Sequence, residues 1–126
     1  MKTTPLACAI PLLLALSIPA LASDTTDATQ TMADIVMNLN HYPSNMEKET
    51  LRQIADSSAA TENERVLATS LINVKHKASS EDKARLRTMM TAPTATELER
   101  ALAKTLLNLN HQPNAKDVSL LRDLLK

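Results

Sequence analysis

Residues 96–125 read TELERALAKTLLNLNHQPNAKDVSLLRDLL, and this stretch contains the plan of the chain. Thr96 followed by Glu99 is a helix start in which hydroxyl and carboxylate each satisfy a free backbone amide. Leu98, Leu102, Leu106 and Leu109 then recur at helical spacing, with Ala101 and Leu107 on the flanks. Pro113 stops that helix, and Asn114 is a good N-cap for a second one. Asp117 places a negative charge at the second N-terminus, and Leu121, Leu124 and Leu125 form its apolar face. The stretch predicts an antiparallel helix pair joined by a tight turn.

A shift of 35 residues brings the same features into register twice more. It aligns His41, His76 and His111; Asn38, Asn73 and Asn108; and Arg52, Arg87 and Arg122. It also aligns Ala33, Ala68 and Ala103 and the leucines 51, 86 and 121. The units are 26–60, 61–95 and 96–126. One helix pair cannot bury its own apolar faces, but three stacked pairs can. The expected fold class is therefore all-α: three stacked αα-hairpin repeats, a short α-solenoid of about six helices.

The other two units follow the pattern with small departures. Unit two repeats the capping box as Thr61 and Glu64, with Val66, Leu67, Leu71, Ile72 and Val74 as its apolar face. Unit one has Thr29 where the others have Glu, which predicts a less well defined start at Thr26. The second helices begin at Ser44, Ser79 and Asn114 and bury Leu51 with Ile54 and Ala55, or Leu86 with Met89 and Met90. The aligned alanines border the apolar face and would let neighbouring helices approach closely. The glycine and aromatic positions that mark tetratricopeptide units of similar length are missing, so the unit is assigned to a structural class and not to a family.

Residues 1–22 read as a cleaved signal peptide. Lys2 gives a basic start, Leu6 to Leu16 an apolar stretch, and Ala20-Leu21-Ala22 the small residues before the cut. The apolar stretch is shorter than the ~20 residues a membrane span needs. Cys8 lies too near the start for a lipoprotein cysteine. These features predict a single domain, 23–126, in the periplasm or secreted, without cysteine and without stable insertion in a membrane.

The composition narrows the function classes. With 14 basic and 14 acidic residues the charge is balanced, which predicts no nucleic-acid footprint. Glycine, phenylalanine and tryptophan are absent and Tyr42 is the only aromatic residue, so phosphate-cradling glycine loops are excluded. No glycine-flanked serine and no H-E-x-x-H pattern occurs, and the acidic pair Glu97 and Glu99 is explained by capping. The chain is expected not to be an enzyme and to need no cofactor.

Three sets of repeated polar residues remain. On a helical wheel Asn73 and His76 fall opposite Leu67, Leu71 and Val74, and the pairs Asn38–His41 and Asn108–His111 repeat the arrangement. Stacking would turn them into a polar ladder suited to another protein or an extended peptide. Arg52, Arg87 and Arg122 form a second row opposite the apolar stripe of the second helices. The alternative for the histidines and asparagines is local: capping the first helix or tying down the turn. Metal binding requires histidine nitrogens within ~2 Å of one ion, whereas neighbouring helices stand ~8–10 Å apart. The stack should thus hold the three histidines apart, and no metal ligand is assigned. Met32, Met37, Met46, Met89 and Met90 share no repeat position and read mostly as core filler. The resulting expectation is a non-catalytic protein- or peptide-binding scaffold. The alternatives are a periplasmic inhibitor or immunity protein of an exported enzyme and a His/Met protein for copper or zinc.

Overall fold

The computed structural model describes residues 25–126. The expected signal peptide and Cys8 lie outside the described residues. Six helices follow in order: α1 (Asp27–Met37), α2 (Asn45–Asp56), α3 (Glu62–Ile72), α4 (Ser80–Thr91), α5 (Glu97–Asn108) and α6 (Ala115–Leu124). The described residues are all-helical and built as a short helical repeat, one helix pair per unit.

Each helix starts where the capping residues place it. Thr61 and Thr96 accept from the backbone N–H of Glu64 and Glu99, whose carboxylates accept from the threonine N–H in return. The start of unit one is better defined than expected. The Thr29 hydroxyl accepts from the Thr26 N–H at 2.8 Å, while the Thr26 hydroxyl accepts from the Thr29 N–H at 3.1 Å. A short hydroxyl suffices because Thr29 is buried and held beside the cap. Ser44, Ser79 and Asn114 cap α2, α4 and α6.

The helices form two sets. The first helices α1, α3 and α5 each pack against both others, an inner triangle. Ala33, Ala68 and Ala103 are fully buried, as close approach of these helices requires. The second helices sit outside: α2 lies against α1 and α3, α4 against α3 and α5, and α6 against α5 and α1. The contact of α6 with α1 brings the last unit back to the first, so the repeat closes into a ring.

The core lies inside that ring. Leu67, Leu71, Leu102 and Leu106 from the inner helices, and Leu51, Leu86 and Leu121 from the outer ones, are fully buried. Each contributes roughly 1.5–3 kcal/mol by leaving water. Among the methionines, Met32 and Met89 belong to this core and Met37 and Met90 pack against it, while Met46 is exposed.

Candidate metal centre

The three histidines stand just beyond the inner helices, in the turns to α2, α4 and α6. Each has a positive φ: 75° at His41, 70° at His76 and 69° at His111. No other described residue does. Positive φ is uncommon outside glycine, and histidine is one of the residues that tolerates it. In a chain without glycine, imidazoles occupy all three of these positions. In the first unit the turn is closed by Tyr42 N–H donating to the Asn40 carbonyl at 2.9 Å, a γ-turn around His41.

The left-handed turn aims each backbone at the next unit. His41 N–H donates to the His111 carbonyl at 2.6 Å, His76 N–H to His41 at 2.7 Å, and His111 N–H to His76 at 2.7 Å. The three peptide groups close a cyclic set of hydrogen bonds with one bond per unit boundary. The side chains converge accordingly. Ring centroids lie 5.0, 5.0 and 4.8 Å apart, at interplanar angles of 79°, 64° and 66°. Such edge-to-face contacts set the positive edge of one ring against the face of the next.

The expectation that the repeat holds these histidines apart is therefore overturned, and with it the ground for assigning no metal ligand. The residues after the inner helices leave the helices, and their turns meet at one end of the ring. The wheel that paired His76 with Asn73 as surface neighbours also fails, because α3 ends at Ile72 and the chain then reverses its twist at His76. For the same reason the histidines do not cap the first helices.

One potential ligand nitrogen from each histidine lies within 4.8 Å of the others. Nδ1 of His76 and Nδ1 of His111 are 3.0 Å apart. An ion bound tetrahedrally at about 2.0–2.1 Å would hold its nitrogens roughly 3.3 Å apart. The upper limit of 4.8 Å exceeds this spacing, so the side chains would have to move to place three imidazoles on one ion. His41 is oriented further: its Nδ1 lies 2.6 Å from Asn40 Oδ1, which also accepts from Gln112 Nε2 at 3.2 Å. An amide oxygen only accepts, so this contact places a hydrogen on His41 Nδ1, and Nε2 is the nitrogen the neutral ring could offer to a metal. The His76–His111 contact needs a hydrogen on one Nδ1 and a bare Nδ1 on the other. His111 has its pKa held below the ordinary histidine value, first by loss of water against its neighbours and then by the charges of His76, His41 and Lys77.

The other expected site residues are not gathered with the histidines. Asn73 Nδ2 donates to Asp82 Oδ2 at 3.0 Å, and Asn108 Nδ2 to Asp117 Oδ2 at 3.2 Å. These buried carboxylates lie in the first turns of α4 and α6, so the asparagines clasp the two helices of a unit together. Unit one has Glu47 there, whose longer side chain reaches the Ser44 N–H, and Asn38 bonds to the Asp34 carbonyl. Arg52, Arg87 and Arg122 are exposed on three outer helices that do not touch one another. Arg52 pairs with Glu49 at 3.4 Å across open surface, a contact of small consequence. A surface groove between α2, α3 and α4, lined by Arg65, Thr69, Arg85 and Met89 among others, does not include the histidines.

No protein-family model, curated protein or solved structure matches the chain.

Proposed function

We propose that the protein is a metal-binding module that takes one Zn(II) or Cu(II) ion on the imidazoles of His41, His76 and His111. The observation that carries this reading is their convergence to within 4.8 Å, on turns whose backbones are bonded to one another in a ring. Imidazole nitrogen suits both ions, and three histidines leave a coordination position open. Among the described residues no thiolate, which would favour Cu(I), belongs to the cluster. The backbone ring supplies preorganisation: the ligands are assembled before the ion arrives, so less ordering opposes binding. An exported location, as residues 1–22 suggest, would make this a module for metal outside the cytoplasm.

Calorimetric titration of the purified protein with Zn(II) and Cu(II) tests the reading. One equivalent should bind, and replacing any one histidine by Asn should weaken binding at least tenfold. Asn tolerates positive φ, so the turn survives the change. Absence of heat and of bound metal after dialysis at micromolar ion would reject it.

A further inference from the structure

Three imidazoles are neutral ligands, so an ion held by them keeps both of its charges. Zinc and copper take at least one donor more. Among the described residues the cluster of potential ligands contains no Asp, Glu or Cys beside the three histidines. His76 and His111 are exposed and His41 is half-buried, so the outer side of the ion would face solvent.

The rim of this cap is not symmetric. The residues flanking the histidine are Asn40 and Tyr42 in unit one, and Asn110 and Gln112 in unit three. In unit two both are lysines, Lys75 and Lys77, exposed and joined across His76 by a backbone hydrogen bond of 3.2 Å. The three turns, 39–43, 74–78 and 109–113, contain no carboxylate. The open coordination position of the proposed ion would therefore be bordered by two exposed lysines that flank His76, and the three turns supply no carboxylate.

We infer that this position takes an anionic oxygen ligand from outside the chain, a small carboxylate or phosphoryl group, and that Lys75 and Lys77 form the charged wall that favours it over a neutral donor. The inference rests on the metal reading above. Charge is what distinguishes the ligand: the dication and two ammonium groups attract an oxyanion, while the ring of histidines offers nothing to neutralise them. Because the lysines are exposed, water and salt weaken their contribution, so their effect is a modest factor.

The test uses the full protein loaded with Co(II), whose visible ligand-field bands report the donors on the ion. Bands characteristic of Co(II) on imidazole would establish the metal site by themselves, before any anion is added. Acetate and methylphosphonate are then titrated separately, with free imidazole as the neutral competitor. A saturable change of the bands with acetate assigns a carboxylate, with methylphosphonate a phosphoryl group, and with both a general oxyanion site. In the Lys75→Gln/Lys77→Gln double variant Co(II) should bind at least as tightly, anion affinity should fall about fivefold, and imidazole affinity should not fall. If Co(II) binds but neither anion alters the spectrum, the inference is overturned and the metal reading stands. Unchanged anion affinity in the double variant overturns the lysine wall. If Co(II), Zn(II) and Cu(II) all fail to bind, both readings fall together.

Discussion

The backbone N–H of His41 donates to the carbonyl of His111 at 2.6 Å, joining the first unit directly to the third. That bond completes a cycle in which each histidine is donor to one neighbour and acceptor from the other. The positive φ at all three positions is what turns the peptide groups toward one another. Strained backbone of this kind persists where surrounding structure holds it and is concentrated at functional sites.

If the imidazoles are kept for metal and not for stability, glycine should serve the turn as well or better. In metal-free protein, His111→Gly should be more stable than His111→Ala by about 1 kcal/mol, since alanine pays for its Cβ at positive φ. Urea unfolding in the presence of EDTA measures the difference. Equal stabilities would mean that the turn relaxes out of the left-handed region when the ring is lost.

Protons compete with the ion for the same nitrogens. Metal affinity should therefore fall as pH drops through the histidine range, because binding needs neutral imidazole. The lowered pKa of His111 delays that competition at one ligand. Competition titrations against a chelator at pH 8 and pH 5.5 should show weaker binding at the lower value. Affinity independent of pH would point to ligands other than histidine.

The same group couples pH to the folding of the metal-free protein. His111 has a lower pKa folded than unfolded, so on acidification the unfolded chain takes up the proton first. Its contribution to stability is present above the ordinary histidine pKa and is lost as pH falls through that value to the lowered one. Denaturant midpoints should thus decrease from pH 8 to pH 5, and His111→Asn should flatten the decrease. An unaltered slope in that variant would assign the effect to another group.

Asn73 and Asn108 distinguish a clasp from a binding rung. Each amide bonds to a buried carboxylate, Asp82 or Asp117, so Asn→Ala should cost about 1 kcal/mol in thermal or urea unfolding. Asn38→Ala should cost less, because its amide reaches only the Asp34 carbonyl within its own helix. Three equal and negligible losses would restore the asparagines to the surface as candidates for partner contact.

Ser70 offers an independent check on the core. Its hydroxyl is fully buried on α3 without a hydrogen-bond partner, whereas Thr105, at the equivalent place on α5, donates to the Ala101 carbonyl at 2.7 Å. Ser70→Ala should raise stability by about 1 kcal/mol, from removal of an unpaired polar group and better helix propensity. A loss of similar size would show that the hydroxyl has a partner in solution.

Much of this architecture was legible in local sequence. Thr61 with Glu64, Ser79 with Asp82 and the leucine spacing of residues 98–109 act within a turn or two of helix, so a linear reading finds them. The Thr29 start is not legible in this way, because a hydroxyl at that position works only when burial holds it in place. The histidine cluster is hidden from a linear reading for a different reason. Its nearest sequence signal was an identical residue in three tight turns of a glycine-free chain, where something other than glycine has to accept a left-handed backbone. That signal marks the turn and says nothing about where three such turns meet.

By itself the sequence determined the helices, their caps, their pairing and the threefold repetition, because these depend on hydrogen bonds and apolar spacing within each unit. Tertiary structure alone decided that the repeat closes, with α6 against α1 and His41 bonded to His111. Closure depends on the angle between successive pairs, summed over packing contacts that no short motif encodes. It is this angle that turns three histidines, equally spaced along the chain, into one cluster of ligands.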